Sequence, residues 1–268
     1  MSENKLLEQA IQALGNCVDS TTVTNVDRLK VALCGDTGTG KSCLIARTCR
    51  KPHLHYDFDN RKESIAGLEG VIIKTLVDIK DDDPRAWNLL ESDLGTLEYL
   101  KSKNELPFKS LALDSCTFLR KYAEHQFLKD STSSSRAKFK IGTTNYLIPK
   151  DWDAVTGVQK MIEGILNRVF ALDIDVFMTF HTRQEKDSVK STKTETVYKD
   201  NLTIDPPNLK MLLPKFNDKW RTFVDTDGVF KVQLHADWKF AAASVLKNVG
   251  DTEPADIQKF LEKHNDTK

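Results

Sequence analysis

The sequence predicts an α/β protein with a mainly parallel central sheet, helices on both faces and an antiparallel extension toward the C-terminus. Short apolar runs alternate with segments of helical period up to about residue 180, and "GDTGTGKS", Gly35 to Ser42, lies between one such run and one such segment. Strands that alternate with helices have to cross over, and crossover connections make parallel pairs. After residue 200 apolar segments flank Asp227-Gly228, a dipeptide suited to a tight hairpin.

Taken in order, residues 3–14, "ENKLLEQAIQAL", place Leu6, Leu7, Ala10, Ile11 and Leu14 at helical spacing and stop at Gly15-Asn16. They form an amphipathic arm within an N-terminal segment, residues 1–28. The core, residues 29–200, begins with the strand Leu29 to Cys34. Further strands are expected at His53 to Phe58, Val71 to Val77, Phe108 to Asp114 and Ile174 to Phe180, with helices around 41–50, 84–102, 115–128 and 153–171. Asp81 to Asp83 before Pro84 suit a helix start, since negative charge is stabilising there and proline fits the first turn. "STSSSRAKFK", 131–140, reads as a mobile loop and 182–200 as a second, polar loop. Residues 201–268 extend the core with antiparallel strands over 201–236 at the sheet edge and a final helix near 254–264. Trp152, Trp220 and Trp238 read as buried residues.

Acidic and basic residues balance at 39 each, so a nucleic-acid or membrane surface has to come from local clustering. The 5 cysteines, Cys17, Cys34, Cys43, Cys49 and Cys116, suit reduced thiols rather than a disulfide framework. Cys43, Cys49, His53 and His55 lack the paired spacing of a zinc site. No early stretch has the pattern of a secretory leader and no apolar run reaches bilayer-spanning length, so a soluble, cytoplasmic protein without membrane contact is expected.

The chemistry concentrates at Gly35 to Cys43. Glycines at 35, 38 and 40 free the backbone of Asp36, Thr37 and Thr39 to curl N–H groups around phosphate oxygens. The helix that follows adds its positive end, Lys41 reaches the terminal phosphates and Ser42 offers a hydroxyl to Mg2+. In "FKSLALDS" an apolar run delivers Asp114 to a strand's C-terminal end, where it can hold Mg2+ through water; capping the helix that follows is its other reading. In "HLHYDFDN" Asp57 and Asp59 emerge after the next strand, and Asp59 is the candidate for deprotonating the attacking water.

The ordered set of P-loop, "HYDFDN", "LALDS", "DWDAVTGVQKMIEGILNRV" and a strand running into histidine, "VFMTFHTRQEKD", resembles the phage nucleotide-binding proteins with a RecA-like P-loop ATPase core of the AAA/RecA type. Some of these act as single-strand annealing recombinases. The likeness spans roughly residues 28–220 and implies ATP phosphates at Gly35 to Ser42, Mg2+ near Ser42 and Asp114, the catalytic carboxylate at Asp59 and a nucleotide sensor at His181. It also implies a ring or filament of copies, single-stranded DNA as substrate in phage recombination or replication, a single-strand-binding protein as a further partner, and the host cytoplasm as location. RecA-like ATPases usually carry glutamate where Asp59 stands, and the shorter side chain implies slow hydrolysis or a base elsewhere.

Arg136, Lys138 and Lys140, interleaved with Phe139 and followed by Tyr146, combine phosphate-neutralising cations with rings able to stack on unpaired bases. The 182–200 loop is nearly balanced in charge and weaker as a DNA surface. RecA-like motors bind ATP between subunits, and Lys239 and Lys247 are the candidate fingers reaching a neighbour's γ-phosphate. A P-loop nucleotide or small-molecule kinase remains as an alternative, although Arg136 and Arg183 do not make its arginine-rich lid. An ATPase assembly factor that does not bind DNA is the other alternative.

Overall fold

The computed structural model describes residues 28–78, 84–131, 136–141, 144–149, 152–186, 198–205, 207–237 and 240–265. Strand β1 (Lys30–Gly35) lies inside the main sheet, parallel to β7 (Asp175–Lys186) on one side and to β9 (Asp218–Val224) on the other. Beyond β7 come β4 (Ser110–Asp114), β2 (His53–Asp57) and the edge strand β3 (Val71–Thr75), all parallel. Beyond β9 come β10 (Phe230–Gln233), antiparallel to β9, and β11 (Thr252–Pro254), antiparallel to β10, while β8 (Tyr198–Asp205) folds back along β7.

Helices cover both faces, and this explains why β1 reads as an unbroken apolar run. Val31 and Leu33 pack toward α1 (Lys41–Thr48) and α5 (Ile257–Asn265), beside Leu44, Ile45, Trp220 and Phe260. Ala32 and Cys34 face the other core, with Leu90 and Leu94 of α2 (Ala86–Ser102), Leu119 of α3 (Cys116–Asp130) and Ile162 and Leu166 of α4 (Trp152–Phe170). Trp220 is fully buried, as expected, and meets the Phe260 ring edge-on at 5.6 Å. The expected arm at 3–14, Asp81 to Asp83, Trp238 and Lys239 lie outside the described residues, as does the side chain of Trp152. Helix α2 is capped from further back: Asp78 Oδ1 accepts the N–H groups of Arg85 and Ala86 at 2.7 Å each.

The expectation of antiparallel strands throughout 201–236 is corrected at β9. β8 ends at Asp205, level with His181 near the top of β1, whereas β9 starts at Asp218, level with Val31. The one-turn-after-another segment Pro207–Lys215 carries the chain back down one face, burying Leu209 and Leu212, so that it enters β9 in the direction of β1. A crossover therefore leads into β9, while the hairpin expected at Asp227-Gly228 joins β9 to β10.

The two expected loops are also corrected. Arg136–Ile141 forms β5, paired antiparallel with β6 (Thr144–Pro149), because "RAKFKI" alternates cationic and less polar residues with the period of a strand. Thr182 to Lys186 continues β7 against β8, so strand pairing holds both ends of the second segment.

Candidate nucleotide site

At the top of β1 the chain turns through a loop whose backbone leaves no room for side chains at two glycines. A Cβ on Gly35 would lie 2.7 Å from the carbonyl oxygen of Thr222 on β9, and Gly40 has φ +79°, with Phe230 3.0 Å from where a Cβ would stand. Helix α1 starts at Lys41 without a side-chain cap, leaving its first N–H groups and the positive end of its dipole facing the loop.

Lys41 is buried, and its Nζ donates to the carbonyls of Gly35 and Asp36 at 2.8 Å each. Burial lowers its pKa, opposed by the nearby charge of Asp114 and then by Cys34, Asp36 and Asp59. Ser42 Oγ donates to Asp114 Oδ2 at 2.5 Å, Thr179 of β7 donates to Oδ1, and His55 Nε2 lies 3.2 Å from Oδ2. Burial alone would raise the Asp114 pKa, but the bonds from His55, Ser42 and Thr179 outweigh it and hold the carboxyl at about 2. Asp114 is thus an ionised carboxylate turned toward the P-loop; the α3 cap position is Ser115.

Asp59 stands two residues beyond β2, half-buried, with Arg61 Nε 3.6 Å from its Oδ2. Its pKa is raised to about 7, first by burial, then by a hydrogen bond with Asp57 and the charges of Asp114 and Asp57, with Arg61 opposing. His181 is in register with Gly35, and the next residue, Thr182, donates to Asp36 Oδ1 at 2.8 Å, tying β7 to the P-loop.

A cavity of about 490 Å³ brings these groups together: Thr37, Gly38, Gly40, Lys41, Ser42 and Cys43 from the cradle, with Asp59, Asp114 and His181. Arg47, Thr48, Phe230 and Ala255 line it as well. Lys247 is exposed and does not line this cavity of its own chain. Arg136, Lys138 and Lys140 fall at alternate positions of β5, on one face of the hairpin, while Phe139 pairs with Tyr146 at a position belonging to the other face.

Thr179 and Phe230 were not among the expected site residues, and His55 entered only as a rejected zinc ligand. Thr179 is the lone hydroxyl in the buried run "VFMTF", and the histidines of "HLHYD" recur with the period that keeps them on one face of a strand. Both are signals that a buried polar partner is near. Phe230 left only the Asp-Gly turn before it as a clue.

Fold and site define a P-loop NTPase: a glycine cradle between strand and helix, with lysine, hydroxyl and a carboxylate from a nearby parallel strand. The family described as AAA domain (AAA_24) matches residues 27–205, and the chain belongs to that family. Among solved structures, a KaiC-like protein from the hyperthermophilic archaeon Pyrococcus horikoshii is similar at 12% identity over 81% of this chain and 82% of that one, with a TM-score of 0.38. No curated protein matches the chain. No helix among the described residues is long and apolar enough to cross a membrane.

Proposed function

We propose that the protein is a Mg2+-dependent, RecA-like ATPase that assembles into a ring or filament and acts on single-stranded DNA in phage recombination or replication. The observation that carries the ATPase is the meeting, in one cavity, of the amide cradle, Lys41, the Ser42–Asp114 pair and a carboxylate that titrates near neutrality. The donor set fits magnesium: a hydroxyl and an ionised carboxylate are hard oxygen ligands. Ser42 would hold the ion directly and Asp114 through water, and the ion supplies positive charge to the polyphosphate.

The chain's own groups do the remainder. Cradle amides and the α1 N-terminus bind phosphate oxygens, and Lys41 exchanges its carbonyl partners for the terminal phosphates. Asp59 takes a proton from water; Thr182, bonded to Asp36, offers a path by which His181 passes the state of the γ-phosphate into β7 and β8. As a base Asp59 works only when ionised, and its raised pKa places that change near pH 7. kcat/KM is accordingly expected to climb about tenfold per pH unit up to about 7 and then level, and Asp59→Asn is expected to remove this limb along with most of the activity. A steady-state pH profile of both proteins checks it.

Phe230, about half exposed at the cavity wall, offers a ring face to the nucleotide base. Phe230→Ala is expected to raise KM for ATP about tenfold with kcat little changed, the loss of one base–aromatic contact. Initial rates over a range of ATP concentrations decide this.

DNA action is supported by the cations at alternate positions of β5 and by the family likeness in sequence order. Filter binding of single-stranded DNA across a salt series tests it. Replacing Arg136, Lys138 and Lys140 together by alanine is expected to reduce the logarithmic salt slope by about 2, at roughly 0.7 per phosphate contact, and wild-type ATP turnover is expected to rise with DNA. Affinity indifferent to salt and to the triple substitution would remove the DNA half and favour an assembly factor acting on protein.

A further inference from the structure

Strand β2 buries His53 and His55, each at most 1% exposed, on the face where β4 carries Ser110 and Asp114. They are linked in series. His53 Nδ1 lies 2.7 Å from Ser110 Oγ, His53 Nε2 lies 3.2 Å from His55 Nδ1, and His55 Nε2 lies 3.2 Å from Asp114 Oδ2. Ser110 Oγ in turn donates to the carbonyl of Arg50, in the loop leading into β2, at 2.6 Å. In register His55 stands opposite Ala112, whose methyl group leaves space for an imidazole to reach forward to Asp114.

Burying two polar rings in a sheet is costly where apolar residues would pack as well, so the pair needs a reason. The direction of the bonds supplies one. A carboxylate only accepts, so Nε2 of His55 carries a hydrogen; at the other end Ser110 donates to the Arg50 carbonyl and accepts from His53 Nδ1. On Asp114, Oδ1 takes the Thr179 hydroxyl, while Oδ2 takes both His55 and Ser42. Ser42 has lone pairs for a cation beside the hydrogen it gives to Asp114. A single bond from Ser42 leaves the carboxylate free to swing about it, and His55 and Thr179 are the donors that fix its orientation. His53, kept neutral by burial, with its pKa pushed down to about 2, anchors the far side of the His55 ring.

We propose that His55 is a positioning residue for the cation site: its Nε2–H, oriented through His53 and Ser110, holds the Asp114 carboxylate toward Ser42. The inference rests on the reading of Ser42 and Asp114 as a magnesium site and adds to it the device that keeps that site ready. Outer partners of metal-holding groups commonly contribute this way.

The test exploits which ring nitrogen does the holding. Glutamine places an amide N–H near the position of Nε2, whereas asparagine ends near Nδ1 and falls short of Asp114. The Mg2+ concentration giving half-maximal ATP hydrolysis is measured for wild type, His55→Gln and His55→Asn, beside binding of a fluorescent ATP analogue in EDTA. His55→Asn is expected to need about tenfold more Mg2+, His55→Gln to stay within about threefold of wild type, and metal-free nucleotide binding to be the same in all three. Equal shifts in the two variants, or none, would overturn the proposal, since a packing role does not distinguish the nitrogens. Should both variants fail to fold by circular dichroism, Ser110→Ala, which does not touch Asp114, is expected to move the Mg2+ requirement in the same direction by a smaller factor, and no movement overturns it. A wild type that hydrolyses ATP without Mg2+ refutes the magnesium reading itself, a result separate from any difference among variants.

Discussion

Lys41→Ala is expected to lower ATP turnover by about a thousandfold or more, roughly 4 kcal/mol of transition-state stabilisation. The loss exceeds that of one surface charge because Lys41 is buried at the point where the cradle, Asp36, Asp59 and Asp114 meet. Its ammonium is the cation facing those carboxylates from within the P-loop. Without it, phosphate oxygens meet Asp59 and Asp114 with no cation in the cradle between them, and Asp59, already raised to about 7 by burial and its carboxylate neighbours, is pushed higher. Activity remaining in Lys41→Ala should therefore rise at a higher pH than in wild type. Stability should change little, since the carbonyls of Gly35 and Asp36 that lose a donor border the cavity and can bond to water. Parallel measurements of thermal unfolding and ATP turnover separate the two effects.

Asp114→Asn is expected to reduce turnover by about a hundredfold to a thousandfold and to lower stability as well. The substitution preserves size but removes the charge that does most to oppose the burial of Lys41. It also turns an acceptor-only group into one with an N–H₂ end, which has to face Thr179 on one side or Ser42 and His55 on the other. The sign of the stability effect follows from the depressed pKa. A carboxyl at about 2 in the folded chain against an ordinary 3.8 stabilises the fold above pH 4 and loses that contribution as pH falls toward 2. Asparagine forfeits it at every pH, a loss on the order of 2 kcal/mol at neutrality. Urea unfolding at pH 7 and pH 3 should show the gap between wild type and variant narrowing in acid.

Much of this site was legible because its parts obey local rules. The P-loop declares itself by glycine spacing between a strand and a helix, and Asp114 by an apolar run ending in a carboxylate. Asp59 could be placed at the mouth of the site, but its raised pKa depends on Asp57 and Asp114 converging from separate strand ends. What stayed hidden needs register between distant segments. His55 becomes meaningful only once β2 lies beside β4, and Thr179 only once β7 fills the gap between β1 and β4. Phe230 reaches the cavity because β9 enters parallel to β1 and carries β10 in beside it, an order decided by the buried crossover at 207–215. The β5–β6 hairpin was missed for a different reason: its alternating residues are cations, and charge obscures a strand's period when hydrophobicity is the signal sought.

The account depends most on one event, the binding of Mg2+ and ATP together in the cradle. Isothermal titration of the folded protein with ATP in the presence of Mg2+ measures it directly. One nucleotide bound per chain is expected, weakened by removal of Mg2+ and lost in Lys41→Ala. A folded wild-type protein that releases no heat with ATP, or binds it equally well when Lys41 is alanine, would contradict the account.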